Sequence, residues 1–302
     1  MRRSVWAWVC GLVACTAGAA AAAEVRGWVV HGETGRPLAG VEVRVLGMEA
    51  GAPPAEVVAR TDARGGFRVG RPMQRRTVVV QATYRGVVYT SGPHRPRDDL
   101  VLTLRVFETT QDPRGLYVAR RATLLELAPA GLVVREVVVL GNALRRTFTG
   151  QAGATVRVPL FVGAQDVRVM SGMAPAGTDP SGALVDTLPV WPGERPAVLA
   201  YRVAVRGPAL LELPVGLPTL TLDVFAAEPL RVSSEVLTPR EEREVEGRRV
   251  VRLAADRLPP DLVVRMRVFG LPRPSAAPAW ALGGLVAAAC TAFVARPFLR
   301  GG

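Results

Sequence analysis

Histidine is the residue type on which most hydrolytic chemistry would depend, and the 302-residue chain has two, His31 and His94. A zinc hydrolase needs several His and Glu ligands at short spacings, together with a general base. Neither histidine starts a His-x-x-Glu pattern, and no Gly-x-Ser-x-Gly elbow offers a serine nucleophile. We therefore interpret both as solvated loop histidines and expect a chain that is not an enzyme.

Two other groups have side chains that suit binding or catalysis. The adjacent carboxylates Asp98 and Asp99 suit an acid–base pair or a calcium site, but their position before an apolar run at Leu100 favours a solvated turn. Trp191 could stack on a ligand, as in carbohydrate-binding sandwiches, although packing at a sandwich edge is the favoured interpretation. We assign no catalytic, cofactor-binding or metal residue, and we expect no cofactor.

The first 23 residues have the pattern of an export signal. Arg2 and Arg3 precede a short apolar stretch, and the alanine run 19–23 suits cleavage before Glu24. Two alternatives remain open. The run 12–15 resembles a bacterial lipobox that would lipidate Cys15, and the segment could also stay uncleaved as a helix.

The C-terminal region has the pattern of a membrane anchor. Residues 276–295 carry no charge and reach the ~20 residues needed to span a bilayer. The proline-containing stretch 271–278 is expected to be a stiff spacer, and 296–302 a cytoplasmic tail. These segments predict a single-pass protein of the bacterial cytoplasmic membrane, with the region between them on the extracytoplasmic, periplasmic side.

Cysteine placement limits how the exported region is stabilised. The three cysteines, Cys10, Cys15 and Cys290, fall inside the predicted signal and anchor. The region between therefore has no disulfide, cysteine metal site or cysteine nucleophile. Its length of roughly 250 residues suits two domains of ordinary size, which must be stable through burial alone.

The chain is strongly basic. All 38 basic residues are arginine, and with 26 acidic residues the formal net charge is +12. Such an excess suits anionic lipid, lipopolysaccharide, acidic glycan or nucleic acid. The arginines are scattered along the predicted strands, so we favour compositional drift over a dedicated basic surface. Few aromatic residues accompany them, and export removes the chain from nucleic acid, so we expect no nucleic-acid partner.

Residues 24–109 show a pattern of short strands and turns. Val41, Val43 and Val45 alternate with polar residues, which is typical of a half-buried strand. Gly35 and Asp62 lie where tight turns are expected. Seven strands in this length predict an antiparallel β-sandwich; the others are 25–30, 57–61, 67–69, 77–84, 87–91 and 100–107.

A spaced series of turn and core residues runs through the same region: Gly27, Val29, Thr34, Gly35, Pro37, Leu38, Gly40, Val41, Val43, Thr61, Asp62, Gly65 and Phe67. Over residues 25–107 this series resembles a carboxypeptidase regulatory-like domain. The resemblance implies a transthyretin-like (prealbumin-like) sandwich of seven strands that acts as an accessory or adhesive module. Modules of this kind carry no catalytic residue of their own, so none is carried over.

Residues 112–270 also have a strand-like composition, but no motif in them indicates a family. Ten apolar or alternating runs, divided by Gly, Pro and Asn, predict a second and larger β-sandwich. A tight hairpin is expected at 246–247. The predicted fold class is therefore all-β, with two tandem β-sandwich domains followed by one C-terminal transmembrane helix.

These features favour a binding, adhesive or assembly-scaffold role without catalytic activity. The partners expected are the membrane, through the C-terminal helix, and a protein or an envelope glycan; the oligomeric state is left open. Exposed edge strands would allow recruitment by strand addition. An accessory subunit of a membrane enzyme or transport complex is the alternative, and a hydrolase is a remote one.

Overall fold

The computed structural model describes residues 24–70, 77–95, 99–245 and 248–271. In these ranges the chain is almost all strand, and its helical content is one 3₁₀ turn, Pro113–Gly115. None of the described residues forms a helix long and apolar enough to cross a membrane. The predicted signal peptide, spacer, anchor and tail lie outside the described residues, apart from Leu271.

The chain divides into two compact units, Met1–Val106 and Phe107–Gly302. The division comes three residues before the expected end of the first domain at 109. The reason is that Thr109 and Thr110 form a short parallel pair with Thr147 and Phe148, which ties them to the second unit.

Seven strands lie in the described part of the first unit. A three-stranded sheet has the order β4-β1-β7, and a four-stranded sheet has the order β3-β2-β5-β6. The strands lie where the sequence predicts them, but β3 begins at Ala52 rather than at Val57, and β2 and β6 extend to Glu49 and His94. The expectation of a purely antiparallel sandwich is wrong, because β1 and β7 pair in parallel. The strands are β1 (Glu24–His31), β2 (Glu42–Glu49), β3 (Ala52–Arg60), β4 (Gly66–Gly70), β5 (Thr77–Tyr84), β6 (Val87–His94) and β7 (Leu100–Val106).

Strand β1 shows why this sequence folds as it does. Val25 and Val29 are fully buried, and the residues between them are alternately exposed and buried, so one face of the strand belongs to the core. Gly27 lies on the same inner face. A Cβ there would stand 2.1 Å from the carbonyl oxygen of Leu102 and 3.0 Å from the ring of Phe67. Only glycine lets β4 and β7 close on β1 at this point.

The turn before β4 is held by the residues that sequence analysis selected. The Thr61 hydroxyl donates to the Leu38 carbonyl at 2.6 Å and accepts from the Val41 amide at 2.9 Å. One Asp62 oxygen accepts from the amides of Arg64 and Gly66, both at 2.8 Å. These residues therefore fix a turn, and their roles are structural.

In the described part of the second unit, fifteen strands follow. They are β8 (Thr109–Thr110), β9 (Leu116–Ala128), β10 (Gly131–Asn142), β11 (Thr147–Phe148), β12 (Val156–Val158), β13 (Ala164–Ser171), β14 (Pro175–Thr178), β15 (Leu184–Asp186), β16 (Gly193–Val203), β17 (Ala209–Pro214), β18 (Thr219–Ala227), β19 (Arg231–Ser233), β20 (Thr238–Val245), β21 (Arg248–Leu258) and β22 (Val263–Phe269).

A seven-stranded sheet, of order β13-β16-β10-β9-β18-β21-β20, is the main layer of this unit. Two three-stranded sheets, β17-β22-β19 and β12-β15-β14, contribute to the same apolar core. Five strands were not among the ten that the sequence predicts. Four of them, β8, β11, β14 and β15, have only two to four residues, and the fifth is β20. Strand β20 was missed because it is polar apart from Pro239 and Val245, as suits its position at the sheet edge.

Several sheet edges carry features that oppose pairing with another strand. In the first unit, edge strand β3 contains Pro53 and Pro54, and edge strand β6 contains Pro93. In the second unit, β13 pairs irregularly with β16, and the sequence of β20 contains charged residues of both signs. Proline, charge and bulges all disfavour strand addition. The faces of the sheets are therefore better candidates for binding than these edges.

Phe67→Ala tests the core of the first unit. Phe67 is 5% exposed and its ring packs on Gly27. We expect residues 24–109 to fold alone and this substitution to lower their free energy of unfolding by about 3–5 kcal/mol, through lost burial and a residual cavity. Urea titration followed by circular dichroism measures it, with Arg68→Ala, a change at an exposed position, as the control. Equal midpoints for Phe67→Ala and wild type would contradict the core assignment.

Candidate binding face

The outer face of the sheet β4-β1-β7 carries an exposed tryptophan. Trp28 is 46% exposed and lies on the central strand, opposite Gly66 of β4 and Thr103 of β7. Neither neighbour has a side chain large enough to cover the indole. Val101, 49% exposed, extends the apolar surface along β7. Scattered exposed aliphatic residues need no explanation, but a half-exposed indole on a sheet face is typical of binding surfaces.

Arginines lie on the same face on both sides of the indole. Arg26 is two residues before Trp28 on β1, and Arg105 is two residues after Thr103 on β7. Among the described residues neither forms an ion pair. Arg68 lies opposite Arg26 and pairs instead with Glu24, at 2.5 Å. The Trp28 face, defined as Arg26, Trp28, Val101, Thr103 and Arg105, therefore joins an aromatic ring to two guanidinium groups.

This combination suits a ligand that has both a flat apolar surface and negative charge. Indole offers a large contact area at little entropic cost, and guanidinium holds carboxylate or phosphate in a bidentate geometry. Glu24 lies on the same side of β1 as Arg26 and Trp28, and its carboxylate is paired with Arg68. The arrangement can therefore bind and orient a partner.

A second group of polar residues lies inside the second unit. Glu136 of β10 accepts from Arg121 at 2.7 Å, from the Thr123 hydroxyl at 3.0 Å and from the Tyr201 hydroxyl at 3.0 Å. Arg121 also donates to the Pro159 carbonyl at 2.7 Å. All four charged or hydroxyl side chains are at most 4% exposed. We call Arg121, Thr123, Glu136 and Tyr201 the buried network.

Two groups of the buried network, Tyr201 and Arg121, have shifted pKa values. Burial raises the pKa of the Tyr201 phenol well above its ordinary value, and the charge of Glu136 adds to the rise. Burial alone would lower the pKa of Arg121, but the pKa is raised, and attraction to Glu136 is the largest cause of the rise. Tyr201 thus stays a neutral donor and Arg121 a cation at neutral pH. Because no substrate reaches these enclosed groups, we assign the network a structural role.

The residues considered from sequence lie apart from the Trp28 face or hold local structure. The prediction of two solvated loop histidines is wrong, because both are half-buried and each is the last residue of its strand, His31 of β1 and His94 of β6. His31 Nδ1 accepts from the Thr34 amide at 3.3 Å. Asp99 accepts from the Glu24 amide at 2.9 Å, while Asp98 lies outside the described residues. No group of three potential metal ligands occurs in the part of the chain that the structure describes.

Trp191 is the tryptophan that we considered from sequence as a ligand-stacking residue, and it is less exposed than Trp28. Trp191 is half-buried and has interaction partners within the fold. Trp28 was missed, although the sequence held a signal for it. Val25, Gly27 and Val29 occupy the inner face of β1, so strand alternation places Trp28 on the outer one.

Comparisons with known proteins do not identify a family. No family model matches the chain, and no curated protein matches it. Among solved structures, an M1 zinc metallopeptidase from Deinococcus radiodurans is 16% identical over 56% of this chain and 46% of its own, with a TM-score of 0.34. A 9R-lipoxygenase from Cyanothece PCC8801 is 16% identical over 27% of this chain and 16% of its own, with a TM-score of 0.20. This chain thus spans less than half of either structure.

Glu136→Gln tests the buried network. The substitution keeps the size of the side chain but leaves the Arg121 cation buried without a counter-charge, so we expect the second unit to lose about 3–5 kcal/mol of unfolding free energy. Glu126→Gln is the matched control. Glu126 also pairs with an arginine of a neighbouring strand, Arg135, but this pair is partly exposed and the expected loss is within about 1 kcal/mol.

Chemical denaturation of a fragment of residues 24–271 measures both variants. Equal losses for Glu136→Gln and Glu126→Gln would contradict a special structural role for the buried network.

Proposed function

We propose that this chain is a non-catalytic, extracytoplasmic binding or adhesive protein of the bacterial envelope, which uses the Trp28 face to hold its partner. The observation that carries the proposal is the 46% exposure of Trp28 at the centre of a sheet face, with Arg26 and Arg105 on either side. An exposed indole beside an exposed valine and two arginines combines apolar contact area with hydrogen-bond donors, which is the composition that binding surfaces favour.

The proposal includes the architecture expected from sequence. Residues 24–109 would be a carboxypeptidase regulatory-like module with a transthyretin-like fold, followed by a second sandwich over 112–270. The hydrogen bonds of Thr61 and Asp62 support the first assignment, because the residues of the resemblance form a turn with the required geometry. Residues 1–23 would be removed on export, and 276–295 would hold the protein in the cytoplasmic membrane.

An acidic envelope glycan is the partner whose chemistry suits the Trp28 face. A sugar ring presents a flat C–H surface that packs on an indole, and a uronic acid or phosphate group would accept from Arg26 and Arg105. Strand addition is less favourable, because proline occurs in both β3 and β6, the edges of the four-stranded sheet. The face, rather than the edge, therefore carries the proposed binding.

Trp28→Ala tests this function. Affinity electrophoresis of the full chain through polygalacturonate, a uronic-acid polymer, should show retardation that neutral dextran does not produce. Trp28→Ala should weaken the apparent affinity about tenfold, equivalent to ~1.4 kcal/mol. Arg26→Gln with Arg105→Gln should weaken it and remove most of its salt dependence. Val58→Ala is the matched control, since Val58 is 53% exposed on the other sheet.

Two results would contradict the proposal. One is retardation of Trp28→Ala equal to that of wild type and of Val58→Ala. The other is equal retardation by dextran, which would remove any role for the arginines.

An accessory subunit of a membrane enzyme or transport complex is the second candidate. The observation in its favour is that Leu210 and Phe269 are exposed on the sheet β17-β22-β19, whose strand β22 leads toward residues 276–295. Apolar side chains beside an anchor suit a contact at the membrane, but two of them bury less area than a stable protein interface needs, so this candidate ranks second.

A further inference from the structure

One end of the sheet β17-β22-β19 gathers apolar and basic side chains on its outer face. Leu210 of β17 lies opposite Arg267 of β22, and Arg231 of β19 lies opposite Phe269. Leu210 is 56% exposed and Phe269 is 38% exposed, and both arginines are exposed. We call these four residues the β22-end face.

The inner side of the same strands belongs to the core of the second unit. Leu211, Met266 and Val268 alternate with the residues of the β22-end face and are at most 2% exposed. The outward direction of Leu210 and Phe269 is therefore fixed by the alternation of the strands. Turning either side chain inward would require a shift of register that exposes the core.

The chain places this end of the sheet beside the proposed anchor, so a membrane-facing role for the β22-end face rests on the proposed function. Strand β22 ends at Phe269, and residue 276 lies seven residues further on. Since an extended chain spans at most about 3.6 Å per residue, Phe269 lies within ~25 Å of the start of that segment. Val263, at the other end of β22, lies roughly 20 Å away from Phe269 along the strand.

The charge of the β22-end face is positive. Arg231 and Arg267 form no ion pair with any described residue, and Arg206, in the connection leading to β17, is likewise exposed and without an ion pair in the described ranges. The acidic residue nearest to them along the chain is Glu228, three residues before Arg231. A basic residue near an anionic membrane surface contributes about 1 kcal/mol, so three arginines favour such a surface.

The size of the β22-end face distinguishes a lipid surface from a protein partner. A stable protein interface buries about 800 Å² on each side, which two apolar side chains do not supply. Phenylalanine or leucine beside basic residues is a combination found in segments that lie on a membrane surface, and arginine binds phosphate in a bidentate geometry. We infer that the β22-end face rests on the anionic phospholipid surface of the membrane that holds the chain.

Site-specific labels on the full chain test this inference. On a background with Cys10, Cys15 and Cys290 replaced by serine, a fluorophore is attached through Ser233→Cys, opposite Arg267, or through Val263→Cys at the far end of β22. Each protein is reconstituted in vesicles of phosphatidylcholine, with or without phosphatidylglycerol, that carry a headgroup nitroxide quencher. We expect the Ser233→Cys label to be quenched several-fold more than the Val263→Cys label in the anionic vesicles.

Arg231→Gln with Arg267→Gln, two exposed substitutions, should abolish most of that difference, as should 1 M salt. Equal quenching at the two labelled positions, or a difference that survives the double substitution, would overturn the docking. In neutral vesicles, quenching of the Ser233→Cys label that falls as the number of protein molecules per vesicle rises would indicate that a second copy covers the face. That result would also overturn the docking on lipid.

Flotation separates failure of the docking from failure of the anchor. Full-length chain that floats with phosphatidylcholine vesicles at high salt supports the anchor whatever the labels show. Chain that does not float would overturn the anchored arrangement, and the docking with it.

Discussion

The ion pair between Arg121 and Glu136 is the constraint on which the larger unit depends. Both charges lie inside the core of a region without cysteine, where the alternative to pairing is a buried charge with no compensation. Thr123 stands directly opposite Glu136 in the pairing of β9 with β10. A slip of one residue would turn Glu136 to the outer face and leave Arg121 unpaired, so the network fixes the register of the two central strands.

Other buried carboxylates of the second unit are also paired with arginine. Asp223 is fully buried between Arg120 and Arg252, and Asp186 pairs with Arg195. Because these charges are paired inside the fold, binding is left to surface residues. Four of the 38 arginines therefore neutralise three buried carboxylates, and most of the basic excess is left for other parts of the chain. The arginines without an acidic partner among the described residues then become informative, and two sets of them lie beside exposed apolar side chains, at the Trp28 face and at the β22-end face.

Features that depend on residues close together in the chain were predicted from the sequence, whereas contacts between residues far apart in the chain were not. Alternation located β1 and β2, and turn chemistry located the bend held by Asp62, because each involves residues close in the chain. Strand β20 could not be recognised from its sequence, because a solvent-exposed edge strand needs no alternating apolar residues. The partnership of Arg121 with Glu136 and Tyr201 joins three strands, so composition gave no sign of it. Trp28 was within reach of prediction, because alternation along β1 alone turns it outward.

The central claim is that Trp28 contacts the partner directly, and collisional quenching of its fluorescence is the most direct test. With Trp6, Trp8, Trp191 and Trp280 replaced by phenylalanine, Trp28 is the single emitter. We expect acrylamide to quench Trp28 readily in the free protein and several-fold less at saturating polygalacturonate, with no protection by dextran. Trp28 emission that stays fully accessible to acrylamide while the polysaccharide is bound would show that the indole does not contact it.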